Sequence, residues 1–261
     1  MNSGPDVARN LGVAGQLLAD AAAAGALLAV LPENFAIMGA READRLAVAE
    51  APGSGPIQDA LAELAQKLSL WIVAGTLPIR GHTPKRVAPA CIVFDANGRQ
   101  VARYDKIHLF DVDIPEKKET YRESATFEPG KEPIVVDTPV GRLGLSVCYD
   151  MRFPELYRRL SAAGAQLLAM PAAFTVPTGQ AHWEVLLRAR AVENLCYVLA
   201  AAQWGLHANG RETYGDAMIV DYWGRVLARR STGAGVVVAE IDPAAQAGVR
   251  ESFPALKHRV L

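Results

Sequence analysis

The sequence predicts an α/β fold made of two pseudo-symmetric halves, with two sheets packed face to face and helices outside. Three observations predict it. Helical patterns alternate with short apolar runs that stop at Pro, Gly or Asn. Two stretches recur: residues 24–35 (Ala-Gly-Ala-Leu-Leu-Ala-Val-Leu-Pro-Glu-Asn-Phe) line up with residues 163–174 (Ala-Gly-Ala-Gln-Leu-Leu-Ala-Met-Pro-Ala-Ala-Phe), and residues 95–103 line up with 221–229. Both pairs keep their order relative to helices and strands. Their period is far longer than a solenoid's, so they mark two halves of one domain covering residues 1–261. Finally, residues 142–155 (Arg-Leu-Gly-Leu-Ser-Val-Cys-Tyr-Asp-Met-Arg-Phe-Pro-Glu) read as a buried strand that ends at a cysteine and turns at once into a helix start.

Taken in order, residues 6–23 read as an Ala- and Leu-rich helix after Gly4-Pro5. A strand over 26–31 is stopped by Pro32. Residues 40–55 are a polar connection, 57–68 a helix, and 71–77 a strand. A basic loop over 79–88 leads to a hairpin over 90–104 that turns at Ala96-Asn97-Gly98. Residues 106–130 are polar with little periodicity, and a loop that long tends to be functional. After the central strand come a helix near 154–162 and a strand over 166–170 stopped by Pro171. Residues 180–194 form a helix with Trp183, Leu186, Leu187 and Ala191 on one face. A buried strand over 196–203, a hairpin over 215–229, a strand over 235–241 and a tail complete the chain. The second half opens with a strand, whereas the first opens at the helix start Gly4-Pro5-Asp6. By symmetry a strand is expected ahead of residue 1, so the chain is expected to begin one strand late or from a misassigned start.

Composition excludes several functions. The 261 residues are 51% hydrophobic with formal charge −1, and no basic run suits nucleic acid or an anionic membrane. The Ala-rich stretch over 21–32 is shorter than the roughly 20 apolar residues a span needs. Three cysteines make no disulfide framework, and a reducing cytoplasm fits them. Cys91 and Cys196 sit in apolar runs and read as buried thiols. No Cys-x-x-Cys, His-rich or Gly-rich fingerprint appears, so neither a metal nor a nucleotide cofactor is expected.

Cys148 stands on the strand-to-helix elbow, where a helix N-terminus would favour the reactive thiolate; the alternative is a small core residue. Glu33 ends an apolar strand, where burial would raise its pKa and equip it as a general base. Its repeat counterpart is Ala172, so the fold needs no acid there. Lys106 follows a strand and could face an oxyanion or merely solvate a sheet edge. A Cys–His hydrolase pairing Cys148 with His108 or His182 is a rival reading.

In their local sequences, Leu-Pro-Glu-Asn-Phe around Glu33, Tyr-Asp-Lys-Ile-His-Leu-Phe around Lys106 and Val-Cys-Tyr-Asp-Met-Arg-Phe-Pro-Glu around Cys148 resemble, in order, the three motifs of the nitrilase superfamily of carbon–nitrogen hydrolases. The resemblance implies a four-layer α-β-β-α sandwich, here without its first strand. It implies Cys148 as nucleophile, Glu33 as general base, Lys106 as oxyanion stabiliser, Glu123 as the additional glutamate that places Lys106 and substrate, and the Tyr149 backbone N–H as second oxyanion donor. No cofactor is implied. The segments at 178–190 and 214–218 lean toward the amidases of deaminated glutathione, with ω-amidases of α-ketoglutaramate or succinamate as the alternative. Such amides carry carboxylates and would yield an acid and ammonia. Arg152 could bind a carboxylate bidentately or pair with Glu155 or Asp150; Phe174 and Thr178 would line the pocket, although Phe174 could equally be core, since Phe35 repeats it. Homodimers or larger assemblies are the family's habit, and a non-catalytic scaffold of the same fold is the reading from another class.

Overall fold

The computed structural model describes residues 1–41, 43–83, 85–114 and 119–260. Six helices occur among them: α1 (Val7–Ala23), α2 (Asp44–Ala47), α3 (Pro56–Leu68), α4 (Pro154–Ala162), α5 (Val176–Asn194) and α6 (Pro243–Ser252). The first half supplies β1 (Leu28–Val30), β2 (Trp71–Val73), β3 (Leu77–Arg80), β4 (Val87–Phe94) and β5 (Gln100–Asp105). A ribbon of β6 (Asp111–Ile114) and β7 (Glu119–Arg122) comes next. The second half supplies β8 (Val135–Thr138), β9 (Gly141–Leu145), β10 (Leu167–Ala172), β11 (Tyr197–Ala202), a ribbon of β12 (Trp204–Leu206) and β13 (Glu212–Tyr214), then β14 (Ala217–Val220) and β15 (Val226–Arg230).

Helix boundaries follow local chemistry. Asp6 caps α1 by accepting from the Arg9 N–H. Pro56, Pro154 and Pro243 open α3, α4 and α6, where a missing N–H is harmless. Residues spaced by four or so along α1 (Asn10, Ala14, Leu18, Ala21) and α3 (Ile57, Leu61, Ala65) form the buried faces. Burying each large apolar side chain contributes roughly 1.5–3 kcal/mol before entropy is counted.

The internal repeat is visible in the pairing. In the first sheet β1 pairs parallel with β2, β2 antiparallel with β4, and β4 with β5. In the second, β10 pairs parallel with β11, β11 antiparallel with β14, and β14 with β15. The two hairpins turn alike: Asp95 Oδ1 accepts from the N–H groups of Asn97 and Arg99, and Asp221 Oδ1 from those of Trp223 and Arg225. One core joins Val73, Cys91, Val93 and Tyr104 of the first half to β9, β10, β11, α4 and α5. A second core lies between the first sheet and α1 and α3.

Several expectations are corrected. Pro171 does not stop β10; it pairs opposite Ala201. Part of the 106–130 stretch forms the β6–β7 ribbon, and residues 115–118 of it lie outside the described residues. The expected basic loop over 79–88 instead carries the end of β3 and the start of β4. Residues 235–241, expected as a strand, join no ladder. They run beside an apolar groove of about 330 Å³ that β1 also lines. β10 is paired on both edges, by β9 and β11, whereas among the described residues β1 is paired only by β2. The expected tail contains α6, tied down by Gln246, which donates to the carbonyls of Gln166 and Leu195.

Candidate active site

The site sits where the loops after β1, β5, β9 and β10 converge. After β1 the chain passes Pro32 and turns through Asn34, a non-glycine residue at φ 57°, whose N–H donates to Thr76 Oγ1 at 2.8 Å. Gly75 makes that turn possible. It has φ 38°, and a Cβ there would lie 2.0 Å from the Pro32 carbonyl oxygen. Glu33 is thereby directed inward and is 4% exposed. Its Oε1 accepts from Lys106 Nζ at 2.8 Å, and its Oε2 from the Ala173 N–H at 3.0 Å.

Lys106 is fully buried, so the reading as a solvated edge lysine is wrong. Its ammonium also donates to Glu123 Oε2 at 2.8 Å and Oε1 at 3.1 Å. Glu123 stands just past the β6–β7 ribbon and is held by the Phe110 N–H at 2.8 Å. Burial works to lower the Lys106 pKa, but Glu123 and Glu33 outweigh it and hold the ammonium well above its ordinary value.

Cys148 lies three residues past the end of β9 and adopts φ 49°, a left-handed backbone that costs a non-glycine residue of order 1–3 kcal/mol. It opens a single 3₁₀ turn, Cys148–Arg152, rather than a long helix, and α4 starts only at Pro154. The expected helix-dipole activation of the thiol is therefore not what the structure builds. Burial pushes the Cys148 thiol well above its ordinary value, and the negative charge of Glu33 pushes the same way; Lys106 opposes them. The resting sulfur is a thiol beside a carboxylate.

Sequence reasoning missed the group that fixes that turn. Asp150 is fully buried and accepts from three donors: the Tyr104 hydroxyl at 2.7 Å and the Val147 N–H at 2.8 Å on Oδ2, and the His108 N–H at 3.0 Å on Oδ1. His108 Nδ1 stands 2.7 Å from the same Oδ1. A buried acid two residues past a candidate nucleophile was the available signal. These contacts also occupy His108, which stacks on Phe153 at 3.7 Å. His182 accepts from Arg152 Nη1 at 3.2 Å. Neither histidine lines the cleft at Cys148, which removes the support for a Cys–His pair.

Tyr149, Arg152, Phe174 and Thr178 all line that cleft with Glu33, Lys106, Glu123 and Cys148. Among the described residues no ion pair joins Arg152 to Glu155 or Asp150; its guanidinium lies over Phe174 at 5.3 Å and Tyr149 at 5.9 Å. Thr178 Oγ1 is 2.8 Å from Thr175 Oγ1. The cleft has a further cation with no local mark in the sequence, Arg211, on the turn between β12 and β13. Among the described residues no group of three or more His, Cys, Asp or Glu side chains is placed to hold a metal ion. Cys91 and Cys196 are buried free thiols, as expected, the latter pushed up to about 12 by burial. No helix among the described residues is long and apolar enough to cross a membrane.

A buried thiol, a carboxylate and the ammonium that donates to it, lining one cleft, form a set able to attack a carbonyl. Residues 1–251 match the family described as carbon-nitrogen hydrolase, and the chain belongs to that family. It is an enzyme that acts on amides. Among its relatives, a deaminated glutathione amidase of Synechocystis is 46% identical over 264 residues, covering 100% of this chain and 96% of the relative. The human protein of the same name is 41% identical, covering 99% and 80%. Of solved structures, Nit3 of Saccharomyces cerevisiae superposes with TM-score 0.88 at 30% identity, covering 100% and 93%. An amidase from Nesterenkonia sp. AN1, captured after Michael addition of acrylamide at its active site cysteine, superposes with TM-score 0.79 at 27% identity, covering 97% and 95%.

Proposed function

We propose that the chain hydrolyses a carboxylate-bearing linear amide of the deaminated glutathione kind through a thioester on Cys148. The observation that carries this is the Glu33 carboxylate accepting from Lys106 inside the cleft that Cys148 also lines. Glu33 takes the thiol proton as sulfur attacks the carbonyl carbon. Lys106 and the Tyr149 backbone N–H receive the oxyanion; one such donor is typically worth about 3 kcal/mol. The C–N bond breaks, its electron pair going to nitrogen, which leaves with the proton Glu33 took. Water, deprotonated by Glu33, then attacks the thioester, and the C–S bond breaks to release acid and thiol. Glu123 holds Lys106 throughout. For a primary amide the leaving group is ammonia. The amide bonds of deaminated glutathione are peptide bonds, so there the leaving group is an amine.

Arg152 binds a substrate carboxylate in this reading, with Phe174 and Thr178 shaping the wall beside it. The names of the full-length relatives, deaminated glutathione amidases, favour that substrate over α-ketoglutaramate. Parallel turnover of both compounds, with Cys148→Ala as control, tests it. Faster Cys148-dependent cleavage of deaminated glutathione is expected; preference for α-ketoglutaramate would move the chain to the ω-amidases.

The finer architecture belongs to the same proposal. The two sheets and their helices are read as one domain of four layers, α-β-β-α. The three free thiols favour a reducing compartment such as the cytoplasm. Pairing of copies rests on the family resemblance, and a monomer by sedimentation would remove it.

A further inference from the structure

We propose that Arg211 binds a second substrate carboxylate, carried on the departing amine, so that the cleft recognises its amide from both sides of the scissile bond. This rests on the amidase reading above. Within the cleft, Lys106 is committed to Glu33 and Glu123, and Arg152 and Arg211 also line it. These two guanidinium groups are the two ends of one run of ring contacts. Arg211 lies 4.5 Å over the Tyr121 ring, Tyr121 packs on Phe110 at 5.0 Å, Phe110 on Tyr149 at 5.0 Å, and Arg152 lies 5.9 Å over Tyr149. Phe110, at the centre, is the residue whose N–H holds Glu123. The run of rings therefore passes beside Glu123 at Phe110 and ends in a guanidinium each way.

The turn bearing Arg211 is fastened, as a binding element must be to spare ordering cost. His207 opens it, with Nδ1 2.9 Å from the Ser3 carbonyl oxygen and Nε2 2.8 Å from Thr213 Oγ1. Asn209 donates to the Gly39 carbonyl, and the Tyr214 N–H to the Phe174 carbonyl. Chemistry then divides the two cations. The acyl group must stay bound after the C–N bond breaks, and Arg152 lies on the same 3₁₀ turn as Cys148. A group held at Arg211 belongs to a separate ribbon and can leave with the amine. The substrate class is a linear amide with one carboxylate on the acyl part and another on the amine part, as deaminated glutathione has.

The test is a cycle of enzyme and substrate changes. kcat/KM is measured for deaminated glutathione and for its C-terminal carboxamide, in which the amine-side charge is capped, using wild type, Arg211→Ala, Arg211→Lys and Arg152→Ala. Capping should cost wild type about 10- to 100-fold, mostly in KM, the range of a charge-assisted hydrogen bond. For Arg211→Ala the two substrates should differ by less than about 3-fold, with Arg211→Lys between, while Arg152→Ala should slow both substrates alike and keep the discrimination. Equal use of both substrates by wild type, or discrimination that survives in Arg211→Ala, overturns the proposal and leaves the amidase reading standing. Turnover of neither substrate by wild type overturns the reading and the proposal together.

Discussion

The Lys106 ammonium and the Glu33 carboxylate meet at 2.8 Å with both side chains almost wholly buried, and the second Glu33 oxygen is taken by the Ala173 N–H. The contact ties the end of β5 to the end of β1, and Ala173 adds the end of β10. A proposed base is thus fixed by both halves of the repeat. Glu123 supplies the remaining contact to Lys106, so the ammonium answers two carboxylates at once.

Glu33→Gln should lower kcat by about 10²–10⁴-fold, the usual contribution of a general base. The same change removes the charge that raises the Cys148 thiol and leaves the one that lowers it. Against that gain, Glu33→Gln removes the base that takes the thiol proton as sulfur attacks, so iodoacetamide labelling of Cys148 at neutral pH should slow together with kcat. Labelling that does not slow while kcat falls would place the need for Glu33 after the attack by sulfur.

Lys106→Met leaves two buried carboxylates facing each other. Breaking a buried pair this way costs about 3–5 kcal/mol, and the expected drop in urea midpoint should accompany loss of turnover. Glu123→Gln keeps one acceptor for Lys106 and should cost less on both counts. Equal stability of wild type and Lys106→Met would contradict the burial of its charge.

Asp150→Ala would take the acceptor from the Tyr104 O–H proton and from the N–H groups of Val147 and His108. Each buried unpaired group costs about 1–3 kcal/mol. Because Val147 precedes the strained Cys148, kcat should fall with stability, whereas Asp150→Asn should recover part of both. Gly75→Ala tests the other side of the site: its Cβ would push on the Pro32 carbonyl, and kcat should drop as Glu33 is displaced.

Stability should decline at both ends of the pH range. Cys148 and Lys106 hold their protons more tightly folded than unfolded, so their contribution is complete below the ordinary values of 9.0 and 10.5 and is lost as pH rises through the higher folded ones. His207 is the reverse. Burial depresses its pKa, so its contribution is present above the ordinary 6.5 and is lost as pH falls through the folded value. Melting temperatures should fall in wild type as the pH is taken from about 8 to about 5, and flatten in His207→Gln; parallel curves would exclude His207.

Glu33 is legible in the sequence because the repeat sets an alanine, Ala172, where it stands. Lys106 and Glu123 are legible only through the motif resemblance, since alternation around Lys106 fits an exposed edge equally well. Pro171 misleads because its missing N–H usually ends a ladder. Here β9 releases β10 after Ala169 and leaves an open edge where that N–H is not needed. Residues 235–241 have a strand's apolar character, but a strand needs a neighbour, and none of the described elements pairs with them. Arg211 reaches the cleft through the packing of a distant ribbon, and nothing local in its sequence marks it.

The most direct measurement is the intact mass of the chain, acid-quenched during turnover of deaminated glutathione. The thioester mechanism predicts an added acyl group, mapped to the peptide containing Cys148, absent in Cys148→Ala together with all turnover. Hydrolysis that persists in Cys148→Ala, or an adduct on Cys91 or Cys196 instead, would contradict it.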